Sequence, residues 1–313
     1  MTDTTYAPRR LTVADLQGNP ARARKERIVR AFFFGCAALS VVVSAAIVWS
    51  LGAEAWTFIS KVEPSALWTD GWFPRRGMYD LRTIVVGSFL VTAVALVVAI
   101  PLGLGAAVYL SEYASRRVRR VLKPTLEILA GIPSVVLGFF ALTWISPEIV
   151  QRVNGDAPQA NLAVAGLGVG ILVIPLIASV SEDAMRSVPY ALREASYGVG
   201  ARKITTTVRV VIPAAVSGIV AALIIAVSRA IGETMVVLIA AGASGGSLFS
   251  YDIFEPGTTM TAAMASQASG TDQVRGAGLT FQSLFFVGLL LFLMTLALNL
   301  LADRFVRRVR QRY

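Results

Sequence analysis

The stretch EASYGVGARKITTTVRVVIP, residues 194–213, is a polar island in a chain that is otherwise largely apolar. Its residues predict two short helices around a turn. Ser187 is placed to cap a first helix whose opening turn holds Pro189, where a missing N–H costs nothing. Gly198 and Gly200 stop that helix, because glycine takes the left-handed cap conformation cheaply. A second helix is expected from about residue 204 until Pro213 interrupts it. Glu194 falls near the end of the first helix, where the macrodipole disfavours an acid. Local helix stability therefore does not explain it, and an arginine or backbone partner elsewhere is expected. Taken alone, the stretch also fits an ordinary helix-turn-helix loop between membrane spans.

Outward from this island the chain reads as membrane. The 313 residues are 55% hydrophobic and 15% charged, with a mean hydropathy of +0.66. A soluble domain carries about 25% charged residues. A spanning helix needs roughly 20 apolar residues. Six stretches meet or approach that: 31–53, 83–111, 128–147, 157–181, 210–251 (broken only by Arg229 and Glu233) and 276–302. The first has the length of a span rather than of a cleavable signal core.

The basic residues set the orientation. Of 29 Lys and Arg, 22 lie in segments 1–30, 110–123, 181–213 and 303–313, and six in 53–82, 146–160 and 243–279. An excess of Lys and Arg marks the cytoplasmic side, so both termini and the loop 188–213 are expected inside. The net charge of +10 is thus a topology and lipid-headgroup signal rather than a nucleic-acid surface. Trp56, Trp68 and Trp72 are expected as interfacial anchors. Pro101, Gly103 and Gly105 should bend the second span or let another helix approach, and Gly166 with Gly170 reads as a small-residue contact face. The third span is expected to start near Pro124, with Glu127 at its entrance within reach of Lys123. Pro133 is expected to shape that helix. Segment 243–279 reads as a flexible loop carrying a short helix, 260–268, at the membrane surface.

Several function classes drop out. The chain has no histidine, which removes His-based catalysis and His metal ligation. Cys36 is the single cysteine, so no internal disulfide forms, and it is expected to pack in its apolar run. Residues 242–246 match G-x-S-x-G, but no histidine exists to serve as base. Residues 166–170 miss G-x-G-x-x-G by one position. No glycine is followed by lysine, so a phosphate-binding P-loop is absent. If this chain drives active transport, the nucleotide site is on another polypeptide.

Arg229 and Glu233 are the two charges placed well inside an apolar run. A charge at mid-membrane costs about 2.5–3.5 kcal/mol on insertion scales, so it is expected to face protein or water. Four residues apart on a helix, the two share a face. Arginine offers a planar fork that matches phosphate oxygens two at a time. Glutamate can hold that fork when the site is empty and accept a proton-bearing phosphate hydroxyl. The alternative is a structural ion pair between subunits.

The spacing in the opening stretch closely resembles the EAA loop of ABC importer permeases. Glu194, Ala195 and Ser196 are followed after three residues by Gly200, and after nine more by Val210, Ile212 and Pro213. Ser196 stands for the second alanine, Val210 for isoleucine and Ile212 for leucine. Residues 107–114 (AVYLSEYA) and 127–142 (EILAGIPSVVLGFFAL, with Pro133 and Ser134 as signature residues) look like the phosphate (Pst) permeases within that family, and 228–235 (SRAIGETM) looks like the corresponding segment of the PstC type. The PstA type usually continues Gly-Glu-Thr with Ala-Pro, where this chain has Met235 and Val236. The resemblance covers roughly residues 83–302.

It implies an all-α protein of the bacterial cytoplasmic membrane with six transmembrane helices, the type I ABC importer permease fold and both termini cytoplasmic. An N-terminal tail (1–30), a first helix and outer loop (31–82) and a C-terminal tail (303–313) would flank the transmembrane domain (83–302). Ser228, Arg229, Glu233 and Thr234 would line the substrate pathway, with Glu127, Pro133 and Ser134 pathway-lining or structural. The loop holding Glu194, Ala195, Ser196, Gly200, Ile212 and Pro213 would couple to an ATPase. The implied partners are a PstA-type permease, a PstB-type ATPase dimer that alone binds ATP and magnesium, a PstS-type phosphate-binding protein, phosphate and membrane lipid. No cofactor is expected in this chain. Open alternatives are the PstA-type subunit, a permease for another oxyanion, and a membrane sensor or scaffold that reports phosphate without carrying it.

Overall fold

The computed structural model describes residues 20–242, 246–270 and 278–309. The chain divides into two compact units, residues 1–50 and 51–313. The described part of the first is helical throughout and belongs to α1 (Pro20–Lys61). Its large apolar side chains, Phe32, Phe34 and Trp49 among them, are exposed, and so is Cys36. Cys36 was expected to pack. A helix apolar on every side is a membrane span, and lipid rather than a core is its solvent.

The second unit continues with the strands β1 (Gly71–Phe73) and β2 (Met78–Tyr79) and then α2 (Leu81–Tyr113), whose last five residues form a π turn. Next come α3 (Arg116–Leu129), α4 (Ser134–Val153, π-helical over Ala141–Val150) and α5 (Leu162–Arg186). The opening stretch supplies α6 (Tyr190–Gly198) and the start of α7 (Lys203–Ile231). The chain ends with α8 (Met235–Ala240), β3 (Ser247–Leu248), α9 (Met260–Ala268) and α10 (Thr280–Val309). Among the described residues six helices are long and apolar enough to cross a membrane: α1, α2, α4, α5, α7 and α10.

The α2–α5 pair is the centre of the larger unit, and small residues make it. A Cβ on Gly166 would sit 2.6 Å from Val94 Cβ, and one on Gly170 would sit 3.0 Å from the Ala95 carbonyl oxygen. Gly103 likewise lies against Ile177, whereas Gly105 meets nothing within 4 Å. Glycine lets two backbones approach where lipid supplies no hydrophobic drive between helices. Around the pair, Val91, Ala95, Leu137, Ala141, Val169, Val173, Ala226 and Val236 form one buried cluster. Buried hydroxyls on α2 turn back on their own helix, as Ser88 does to the Ile84 carbonyl (2.8 Å) and Thr92 to that of Ser88 (2.7 Å).

Four expectations change. The third span starts at Ser134, not near Pro124, because α3 is a separate helix that ends before Gly131 and Pro133. Pro124 sits inside α3. Trp72 is buried, edge-on to Tyr79 in a second cluster with Phe58, Ile84 and Met260, while Trp56 and Trp68 are exposed. Its place in the three-stranded sheet β2-β1-β3 turns it inward. The helix 260–268 forms, but Met260, Thr261, Ala262 and Ala263 are buried. Gly87 allows this, since a Cβ there would lie 2.2 Å from the Thr258 carbonyl oxygen, and Ser88 Oγ accepts the Met260 N–H at 3.0 Å. Pro213 does not break its helix. The π turn Thr207–Val211 precedes it, so the Ile212 N–H bonds back to Thr207 and the i−4 carbonyl that a proline ring would strike is displaced. The centre of the G-x-S-x-G match and parts of the Gly- and Ser-rich patches, 243–245 and 271–272, lie outside the described residues.

Candidate functional site

Ser187 closes the helix before the loop rather than opening the one after it. It is the C-cap of α5, with its Oγ donating to the Ala184 carbonyl (2.8 Å), and Pro189 takes the N-cap position of α6. Pro189 is extended, as a residue leading into a helix must be, and lacks a donor there. Helix α6 then runs to Gly198, and Gly200 takes φ +80° in the turn. That is the left-handed conformation glycine adopts freely. Ser196 and Thr206 share a hydrogen bond of 2.9 Å across the turn, which ties α6 to α7. Ile212 packs against the buried cluster of Ala107, Met185, Val188, Val211 and Ala215. Glu194 and Ala195 are exposed, and Glu194 makes no ion pair among the described residues.

No arginine answers Glu194 among the described residues, and its neighbour Arg193 answers another acid. Arg193 Nη2 lies 2.9 Å from Glu112 Oε1, with the two side chains 10% and 5% exposed. The same guanidinium donates to the Val188 carbonyl (2.7 Å) and the Met185 carbonyl (2.9 Å). One side chain therefore joins α6, the end of α5 and the π turn of α2. A second cluster lies beside it. Glu182 is fully buried near the end of α5 and meets Arg119 (2.5 Å) and Lys123 (2.7 Å) from α3. Lys123 also reaches Asp183 (2.5 Å). Burial alone would push the Lys123 ammonium down, but the hydrogen bonds and charges of Asp183 and Glu182 outweigh it and hold it above the usual lysine value. Glu127 is exposed and is not the partner of Lys123. Between the clusters opens a cleft of about 610 Å³ lined by Glu112, Arg116, Arg186, Tyr190 and Lys203 among others.

The intramembrane residues do not pair. Helix α7 ends at Ile231 with Gly232 as its cap, so Glu233 is no longer on the helix that carries Arg229. The four-residue spacing presumes a continuous helix, and the turn at Gly232 ends it. Glu233 is buried; its carboxylate faces the Val236 N–H at 3.5 Å, and its backbone carbonyl accepts the Thr261 hydroxyl at 2.7 Å. Arg229 is exposed, with no acidic partner among the described residues. Ser228 donates to Asn299 Oδ1 on α10 (2.9 Å), and Thr234 to the Gly232 carbonyl (3.3 Å). Pro133 caps α4, its carbonyl accepting the Val136 N–H at 3.0 Å, with Ser134 as the first helical residue. Sequence reading missed Arg193, Glu112 and Glu182. The signal was present: Glu112 borders the basic turn at 116–120, and Glu182 directly follows an apolar run.

Residues 99–313 match the family described as binding-protein-dependent transport system inner membrane component. The chain is 31% identical to the phosphate transport system permease protein PstC of Mesorhizobium japonicum, covering 92% of this chain and 91% of that protein. It is 34% identical to phosphate transport system permease protein PstA 1 of Mycobacterium tuberculosis, over 71% of each. Among solved structures, a bacterial alginate ABC transporter in complex with its pentasaccharide-bound periplasmic protein superposes with a TM-score of 0.64. That match covers 91% of this chain and 98% of that one at 14% identity. The inward-facing methionine transporter MetNI gives 0.52 at 21% identity, over 72% and 92%. At such identities the structures speak for the fold alone. The chain belongs to the family of binding-protein-dependent transport system inner membrane components, the permease subunits of ABC importers.

Proposed function

We propose that this chain is the PstC-type permease subunit of an ATP-driven phosphate importer. The observation that carries the reading is the mounted loop: an exposed Glu194–Gly200 segment on a helix that Arg193 fastens to two spans. A partner that moves α6 moves α2 and α5 with it. In this reading a PstB-type ATPase dimer, holding ATP and magnesium, docks on the loop from the cytoplasm. A PstA-type permease completes the pathway and a PstS-type protein delivers phosphate on the other side. ATPase closure pulls the loop, and the spans open outward. Likeness to PstC relatives along nine-tenths of the chain, with Met235 and Val236 after Gly-Glu-Thr, favours the PstC over the PstA role.

Arg229 is the proposed phosphate contact. A guanidinium without a carboxylate, exposed on this subunit near the end of a span, has a water-filled pathway or the second permease as its solvent, because lipid would cost too much. Ser228, Thr234 and Glu233 complete the proposed pathway set. The test is to purify the complex, identify its subunits and measure ATP-dependent uptake of phosphate against sulfate and molybdate. Preference for another oxyanion moves the cargo assignment, and ligand-dependent signalling without uptake moves the protein to a sensor. Orientation has its own test. In a Cys36→Ser background, Gly200→Cys should react with an impermeant thiol reagent only from the cytoplasmic side and Ser269→Cys only from outside. Labelling of both from one side would sink the arrangement.

A further inference from the structure

Helix α3 (Arg116–Leu129) belongs neither to the spans nor to the coupling loop, and none of its side chains is buried. Both of its ends are tied to spans at the same end of the molecule, α2 stopping at Tyr113 and α4 starting at Ser134. Its depth is therefore that of the ends of two spans. Its sequence, RRVRRVLKPTLEIL, is sharply two-sided. Val118, Val121, Leu122, Ile128 and Leu129 fall on one side of the helix, and all are exposed, Val121 at 65% and Ile128 at 74%. Arg119 and Lys123 fall on the opposite side, where Glu182 and Asp183 hold them against α5. These salt bridges fix the rotation of the helix, so the apolar side points away from the protein. Arg117 borders the apolar side, Arg120 lies between it and the Arg119–Lys123 side, and Arg116 falls on that latter side; none of the three has a carboxylate partner among the described residues.

We infer that α3 lies in the membrane interface and docks on anionic lipid headgroups. Its apolar side enters the boundary between headgroups and acyl chains, and its free arginines take the lipid phosphates. An amphipathic helix with basic flanks binds a bilayer surface in this way, and each arginine near an anionic surface strengthens binding about fivefold. Charge complementarity selects lipid over a second protein: the helix carries five cations against the single acid Glu127. The inference requires only that the chain spans a membrane, and stands whether or not phosphate is the cargo.

The test uses the whole complex in nanodiscs of phosphatidylcholine, with or without phosphatidylglycerol. Spin labels are placed at Val121→Cys and Ile128→Cys in a Cys36→Ser background. In anionic discs both labels should be open to molecular oxygen, which partitions into lipid, and closed to a water-soluble nickel chelate. Omitting phosphatidylglycerol, or making Arg117→Gln/Arg120→Gln in anionic discs, should raise chelate access at both positions several-fold. Labels shielded from both reagents would mean that another subunit covers the helix and would overturn the inference. So would chelate access that is high in anionic discs, or indifferent to lipid charge and to the arginines.

Discussion

Glu112 and Arg193 are 81 residues apart in sequence and meet at 2.9 Å; Arg229 and Glu233 are four apart and do not meet. The first pair closes because the ends of α2 and α5 come together and each buried charge has no other ionic partner among the described residues. The second stays open because Gly232 ends the helix that would have stacked the residues. Spacing along a helix is a statement about geometry only while the helix lasts. In the proposed reading the distant pair, closed on itself, is a mechanical link, whereas Arg229 offers its guanidinium to the phosphate.

The largest effect should come from the open side. Arg229→Lys keeps a cation but loses the two-pronged donor, and a charged hydrogen bond contributes about 1.5–3 kcal/mol. Phosphate uptake in proteoliposomes should fall about tenfold or more with subunit stoichiometry unchanged. Arg229→Ala should be at least as severe. Arg229→Ala/Glu233→Ala should not recover, since the two residues do not neutralise each other. Recovery to the unaltered rate would show a structural pair and erase the contrast.

Breaking the closed side should cost less transport but more stability. Arg193→Ala leaves Glu112 buried without its cation, and breaking a buried pair costs about 3–5 kcal/mol. Thermal stability should drop, and phosphate moved per ATP hydrolysed should drop with it. Arg193→Lys, which retains the charge but cannot reach Glu112 and two carbonyls together, should lie between. A stable variant with normal coupling would reduce the pair to a surface feature.

Gly200→Val tests the turn between these regions. No atom within 4 Å would meet its Cβ, so the cost is backbone strain alone, about 1–2 kcal/mol for a side chain in the left-handed region. The subunit should remain in the membrane while less ATPase co-purifies. Normal ATP hydrolysis and transport would refute the docking role.

The smallest effect is on Lys123. Its folded pKa is raised, so its contribution to stability is complete below the unfolded lysine value and is lost as pH climbs through the folded one. A thermal melt should therefore weaken at alkaline pH in the natural protein, and Lys123→Met should flatten that limb.

The six spans were legible because lipid demands length and apolarity, and both are written residue by residue. The turn at Gly200 was legible because only backbone freedom was at stake. The start of α4 was not. Residues 128–147 carry no charge before Glu148, and hydropathy runs through the break at Gly131 and Pro133 without registering it. Trp72 and the helix 260–268 were placed at the surface because their burial depends on strand pairing and on Gly87, both tertiary facts. Arg193 was missed although it sits beside the motif, because its partner Glu112 lies 81 residues away at the end of a span and that distance conceals it.

Three of the spans contain a wide turn, at Tyr109–Tyr113, Ala141–Val150 and Thr207–Val211, each closed by an N–H bonded five residues back. Such a turn holds one residue more than an ordinary helix needs. It therefore separates the length of a helix from its phase. Deleting one residue from 207–211 would restore the common geometry and leave Arg229 at its present angle. Deleting one from 220–225, where there is no surplus, would rotate everything beyond it by about 100° and carry Arg229 to another face. Within these spans, the wide turns are where the chain can lose a residue without re-aiming the side chains downstream.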